Sequence, residues 1–306
     1  MKNIVLTALF ITTLFVLPKN AAAQYYFYDD SYGNGFSYEA GVSLNAMNCF
    51  TDIGGKKGIG GKFLKDLNIG KTKFAGGLFF GIIYKNAAAL RLEGTFGEIS
   101  ANDNVLSGVT DIAKQRFNRN LNFRSNISEA SAIVELHPLF IFINWAKRDQ
   151  KPPRYSPYIL GGIGYFSYKP QAEAGNKFID LQPLHTEGQG FPEYPNRQNY
   201  SLSQTNIPLG GGIKYEASPL INLRLEFVYR KLHTDYLDDV STDYIDPAAF
   251  DKNLSASGAI NARALYDRQI NKITTTGNKR GDPTHNDAYF SLNLKASILL
   301  GRNQKE

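Results

Sequence analysis

Residues 36–48 alternate with a period of two. Phe36, Tyr38, Ala40, Val42, Leu44 and Ala46 share one face, and Ser37, Glu39, Gly41, Ser43 and Asn45 the other. Successive side chains of a strand point to opposite faces, so this segment has one oily and one wet side. The pattern returns at 88–98, where Ala88, Leu90, Leu92 and Phe96 oppose Arg91, Glu93 and Thr95. It is clearest at 221–230, with Ile221, Leu223, Leu225, Phe227 and Tyr229 opposing Asn222, Arg224, Glu226 and Arg230. A last instance, 288–300, lines up Ala288, Phe290, Leu292, Leu294, Ala296, Ile298 and Leu300.

Four weaker segments join these. Residues 72–84 are apolar on both faces, and Gly76, Gly77 and Gly81 suggest tight packing in a narrow interior. In 122–137, Ala130, Ala132, Val134 and Leu136 point outward and Glu129 and Glu135 inward. Residues 155–168 and 205–216 carry Gly161-Gly162 and Gly210-Gly211-Gly212 and aromatic ends. Each segment reaches the roughly ten residues that a tilted transmembrane strand requires. Short or moderate turns, near Asn86, Pro152-Pro153 and Ser218-Pro219, alternate with long polar segments at 49–71, 99–121, 169–204 and 231–286. That is the layout of a bacterial outer-membrane barrel, with short periplasmic turns and long outer loops. The expectation is an all-β fold: an eight-stranded antiparallel transmembrane β-barrel whose partner on the outside is outer-membrane lipid. A soluble β-sandwich could also alternate, but four such loops at one end and charges recurring at mid-strand argue against it.

The N-terminus agrees with export. Lys2, the apolar run Val5 to Leu17 and Ala21-Ala22-Ala23 read as a cleaved signal peptide over 1–23, leaving 24–306 as the barrel domain. The apolar run is short of the about 20 residues that span a bilayer. Aromatics at 13 % supply interfacial girdles, and a mean hydropathy of −0.31 suits a wall in which alternate residues are apolar. The net charge of +6 is scattered, without a basic tail or helix, so no nucleic-acid partner is expected. Cys49 stands alone and can form no internal disulfide.

With this phase, the interior of the barrel receives Arg91, Lys214, Arg224, Arg230 and Lys295, and facing them Glu39, Glu93, Glu129, Glu135 and Glu226. An eight-stranded barrel is just wide enough to be filled by side chains. Unpaired charges there would be costly, so the set should pair across the lumen and leave little or no ion conductance.

No catalytic constellation, cofactor motif or metal spacing emerges. Gly54 to Lys62 resembles a phosphate loop, but its spacing misses the pattern and Phe63 stands where Ser or Thr is required. The 4 His residues lie far apart. Asp235, Asp238, Asp239, Asp243 and Asp246 crowd one loop; solvated loop charge and Asx-turns explain them, and a Ca²⁺ site is the competing reading. The turn bearing Trp145, Lys147, Arg148, Lys151 and Arg154 is either an interfacial aromatic beside a solvated basic turn or a periplasmic contact.

Pro170-Gln171-Ala172-Glu173 and the run Leu181, Gln182, Pro183, Leu184, His185, Thr186, Glu187, Gly188, Gln189, Gly190 add a resemblance. With Asn206 to Gly210, Thr234 to Ser241 and Asn286 to Phe290, they resemble the PorG-like outer-membrane β-barrels associated with type IX protein secretion. His185 departs from the family, which has Gly there. The resemblance implies a non-enzymatic component of a secretion machine, in contact with a periplasmic ring lipoprotein and its partner of the PorK and PorN type. A passive channel, or a surface enzyme or adhesin using the outer loops, are the other readings.

Overall fold

A computed structural model describes residues 35–54, 69–107, 112–145, 152–273 and 275–300. The signal segment 1–23 and most of the glycine-rich stretch at 54–62 lie outside them.

Among the described residues nine strands follow in order: β1 (Phe36–Phe50), β2 (Lys73–Tyr84), β3 (Ala88–Asn102), β4 (Asn122–Leu136), β5 (Tyr155–Ala174), β6 (Lys177–Asp180), β7 (Ser203–Glu216), β8 (Ile221–Leu232) and β9 (Ala288–Leu300). They form one sheet in the order β4-β3-β2-β1-β9-β8-β7-β5-β6, and β4 also pairs with β5. That last ladder closes the ring. Eight antiparallel strands make the barrel, and β6 is a short hairpin partner of β5 outside it.

The period of two sets the wall's orientation. Leu78 and Phe96, more than 60 % exposed, and Leu44, Leu90, Leu294 and Ile298 face outward, while their neighbours Ser43, Arg91, Lys295 and Ser297 are buried. A closed wall that is apolar outside and charged inside satisfies every backbone group without water, as a bilayer requires. With an even strand number and long loops at one end, the chain is a transmembrane barrel of the bacterial outer membrane. No described helix is long and apolar enough to cross a membrane.

Between β2 and β3, Lys85 and Asn86 both take positive φ (49° and 54°), and Ala87 N–H bonds Tyr84 O at 2.9 Å. Two left-handed central residues match the twist of a tight hairpin. Gly77 and Gly81 face the lumen, and a Cβ there would lie 2.6 Å from Ser43 Oγ and 3.0 Å from Glu39 Oε1. The interior is that narrow.

Several strands outrun their sequence-based limits. β5 continues through Lys169 to Ala174, where the outward face turns polar (Lys169, Gln171, Glu173) and no longer reads as lipid-facing, because β4 and then β6 still bond its backbone. Ala288 and Phe290, expected on the lipid face, are buried at the outer rim, where the Phe290 ring stands 4.9 Å from Phe50 and 5.7 Å from Phe227. The long loops also hold helices: α1 (Ile112–Arg119), α3 (Ala248–Asn253) and α4 (Ala256–Tyr266), with the one-turn α2 (Pro138–Ile141) in the β4–β5 turn.

These loops build a cap. Met47, Ile99, Phe123, Ile127, Phe166 and Tyr168, from the strands' outer halves, pack with Leu237 and Val240 from the β8–β9 loop. A second apolar core forms from the β5–β7 and β8–β9 loops, in which Leu181, Leu184 and Phe191 meet Ile245, Phe250 and Leu265.

Candidate functional site

All ten charged residues assigned to the lumen are buried. Arg91 on β3 is the hub. Its guanidinium bonds Glu135 on β4, donates to Glu226 Oε2 on β8 at 2.8 Å, and lies 3.2 Å from Glu93 Oε2. Lys295 on β9 bridges Glu93 (2.6 Å) and Glu226 (2.9 Å), and Arg224 donates to Glu39 Oε1 at 2.5 Å. One level outward, Arg230 pairs with Glu129 at 3.0 Å and donates to Ser291 Oγ at 2.6 Å. Lys214 is the member without an ion pair within 4.0 Å among the described residues; it sits beside Arg224 in the β7–β8 register.

Aromatic and amide side chains complete this interior, and the charge pattern did not name them. Phe79 lies under three cations, with Arg91 Cζ, Arg224 Cζ and Lys295 Nζ 5.4–5.6 Å from its ring centre. Such cation–π contacts help offset the loss of water. Tyr158 donates to Glu226 at 2.8 Å, Tyr289 donates to Glu129, and Asn206 joins both Glu129 and Tyr289. Phe79 sits in the segment that is apolar on both faces, so alternation could not mark it. Tyr158 and Tyr289 were findable from their inward parity. His137 Nδ1 lies 2.8 Å from Ser156 Oγ, and its Nε2 3.5 Å from Glu135. The order is that of a nucleophilic triad, but all three are buried inside a filled barrel, where no substrate reaches the hydroxyl.

In the cap, loop stretches some fifty residues apart in sequence converge. Glu187 accepts the N–H of Ser241 (3.1 Å) and of Thr242 (2.8 Å) and the Thr242 hydroxyl (2.7 Å). Arg280 donates to Glu187 (2.8 Å) and to Asp239 O (2.8 Å). Asp239 accepts from Thr186 (2.5 Å) and Tyr200 (2.6 Å). Gln189 Oε1 accepts the Glu187 N–H at 3.1 Å, and Gln182 donates to Tyr200 O at 3.4 Å. Pro183 is the second residue of the one-turn 3₁₀ helix Gln182–Leu184, and Leu181 and Leu184 anchor it in the second core. Gly188 has φ +74°, and a Cβ there would meet the Tyr194 ring at 2.6 Å. His185, at φ +49°, holds the left-handed conformation that glycine adopts at no steric cost. Arg119 ties in the remaining loops through Asp103 (2.9 Å), Asp52 O (2.6 Å) and Arg280 O (2.6 Å).

The acidic loop is solvated only in part, which corrects the sequence reading for three of its members. Asp243 and Asp246 remain accessible, and Asp238 and Asp246 make the expected Asx-turns to Val240 (3.0 Å) and Ala248 (2.9 Å). Asp238 and Asp239 are fully buried and Asp235 nearly so. Asp238 accepts the N–H of Ile53 (2.9 Å) and Val240 (3.0 Å), and Asp287 accepts that of Leu237 (2.9 Å). Dense apolar packing over the loop excludes the water that would otherwise hold these charges. Burial pushes the carboxyls of Asp235 and Asp238 up to about 8, with Asp52 adding repulsion at Asp238. Asp239 rises to about 6, because burial outweighs Arg280 and the two hydroxyl donors. Among the described residues no group of three His, Cys, Asp or Glu is arranged to hold a metal ion.

At the periplasmic end, Trp145 is half-buried and donates its indole N–H to Leu139 O at 2.8 Å. Arg154 is exposed, and its carbonyl accepts the Glu216 N–H at 2.8 Å. Lys147, Arg148 and Lys151 lie outside the described residues.

No family model matches the sequence, and a search of curated proteins finds no match. Among solved structures, a major outer membrane protein from Thermus thermophilus is similar at 13 % identity, over 86 % of this chain and 99 % of that one, with a TM-score of 0.36. OprG from Pseudomonas aeruginosa follows at 9 %, 88 %, 97 % and 0.36. Ail, the attachment invasion locus protein of Yersinia pestis, stands at 10 %, 87 %, 97 % and 0.35. Scores this low carry no argument about function; the fold rests on the closed strand order.

Proposed function

We propose that this outer-membrane barrel is non-enzymatic and works by protein contact, as a component or scaffold of a type IX-like secretion machine. Its partners would be a periplasmic ring lipoprotein and a soluble protein of the PorK and PorN type. The observation that carries this reading is the cap. The loop stretches that resemble the PorG-like barrels, Leu181 to Gly190, Thr234 to Ser241 and Asn286 to Phe290, meet in one buried latch built on Glu187, Asp239 and Asp287. A shared motif that forms one structural unit is a stronger likeness than scattered identities. The filled, charge-paired lumen supports contact over conduction.

An adhesin is the second reading, favoured by Ile260 and Ile270, which the β8–β9 loop leaves exposed on the outer side. A native pull-down of the chain, tagged at its C-terminus, from mildly solubilised outer membranes separates the two. Stoichiometric recovery of a ring lipoprotein and its partner supports the scaffold. Recovery of the barrel alone, with secretion intact in a deletion strain, sinks it.

A further inference from the structure

At the β4–β5 turn, apolar side chains leave the strands and stay outside the fold. The run Pro138-Leu139-Phe140-Ile141-Phe142 is closed into α2 by bonds from Ile141 N–H to His137 O (3.1 Å) and from Phe142 N–H to Pro138 O (3.0 Å). Trp145 clamps it from the far side, bonded to Leu139 O, its ring 6.3 Å from Phe140. Held this way, Phe142 is 83 % exposed and Ile141 45 %.

Their height on the barrel decides what they face. β4 stops at Leu136, opposite Ile159, whereas β5 begins earlier, at Tyr155. Helix α2 is in contact with β5, and His137 just before it lies 2.8 Å from Ser156 in that overhang. There β5 still pairs with β7, Tyr155 opposite Tyr215, and both rings are exposed on the outer face of the wall. Phe36 and Tyr84, 5.0 Å apart, mark the same end on β1 and β2. Outward aromatics at strand ends sit at the membrane–water interface. His137 N–H also bonds Ala87 O in the β2–β3 turn at 2.8 Å, so α2 starts level with the strand ends that carry these aromatics.

We propose that the β4–β5 turn is a lipid anchor: Ile141 and Phe142 enter the acyl region of the periplasmic leaflet, with Trp145 at headgroup level. Its occupant is phospholipid. The belt beside it is already lipid-facing, and an amphipathic indole is favoured where the apolar region meets the headgroups.

Trp145 is the single tryptophan of the sequence, so its fluorescence reads this turn alone. The full barrel, refolded into phosphatidylcholine vesicles, is compared with vesicles whose acyl chains are brominated near the headgroup. Trp145 emission is expected to fall by about half in the brominated vesicles and to resist aqueous iodide, as a headgroup-level indole should. Because Phe140 partly covers Trp145, a second protein carries the reporter on the exposed position: Phe142→Trp on a Trp145→Phe background. Its emission should be quenched more strongly by bromines deeper in the chain, and it decides the matter where the two proteins differ. Iodide quenching of Phe142→Trp without bromolipid quenching puts the turn in water, overturns the anchor and points to a periplasmic protein. Insensitivity to both quenchers places the ring inside the protein and overturns it equally.

Discussion

Arg91 holds three carboxylates, from β3, β4 and β8, at a point without solvent. Arg91→Met leaves Glu93, Glu135 and Glu226 facing one another, with Lys295 still bridging Glu93 and Glu226 and Arg224 3.9 Å from Glu135. Breaking a buried pair from one side costs about 3–5 kcal/mol, because the surviving charges stay buried. The expected result is a lower urea midpoint for loss of the folded band in detergent micelles; an unchanged midpoint would show that the lumen is wetter than it looks. Asp235 makes a different case. Both its oxygens are buried, and burial pushes its carboxyl up to about 8 against the lowering influence of the Ser241 hydroxyl. A carboxyl titrating higher folded than unfolded (about 3.9) binds its proton more tightly in the fold. Its contribution is therefore full below about pH 4 and lost as pH rises through about 8. Hydrogen exchange of the 233–287 loop should accelerate as pH rises across that window beyond the intrinsic chemical rate. Asp235→Asn, neutral at every pH, should protect the loop at pH 8 and make the dependence shallower. A wild-type slope in the variant would remove Asp235 as its cause.

The elements that carry the cap are loops, yet their stitching resembles that of a small domain. Glu187, in the β5–β7 loop, satisfies two backbone N–H groups of the β8–β9 loop and the Arg280 guanidinium. Glu187→Ala takes the ion pair from the buried Arg280, which keeps its bonds to Asp239 O and Tyr266 O, and leaves the Ser241 and Thr242 N–H groups without an acceptor, a local loss of about 3–5 kcal/mol. The barrel strands make none of these bonds and should stay folded. Protease added to intact cells is then expected to cut within 233–287 in the variant and spare the wild type. Glu187→Gln, which keeps one acceptor oxygen, should lie between. Equal resistance in all three proteins would mean that apolar packing of Leu184, Phe191 and Phe250 holds the loops unaided.

For the whole molecule, the consequence is closure from both directions. Charge pairs fill the middle of the lumen, and the outer half is packed with Phe166, Tyr168, Leu237 and Val240. Planar-bilayer recordings of the refolded chain are expected to show no stable open level. A wide, well-defined single-channel step would contradict both the filled lumen and the preference for protein contact over transport of solutes.

The period of two was legible without any structure, because it is set locally by the backbone and by lipid on one side. It determined which residues of Phe36–Phe50, Ala88–Asn102 and Ile221–Leu232 turn inward, and hence the membership of the charge set, from Glu39 to Lys295. It also placed the long loops at one end. Tertiary structure alone decided the rest. Which carboxylate meets which cation depends on barrel closure, which brings Arg91 to Glu226 across the lumen. Phe79 became the floor under three cations although its segment is apolar on both faces. Asp238 and Asp239 read as solvated loop charge because the residues that bury and bond them, Ile53, Thr186 and Tyr200, come from other loops. A strand's facing is a property of neighbours in sequence; a charge's burial is a property of neighbours in space.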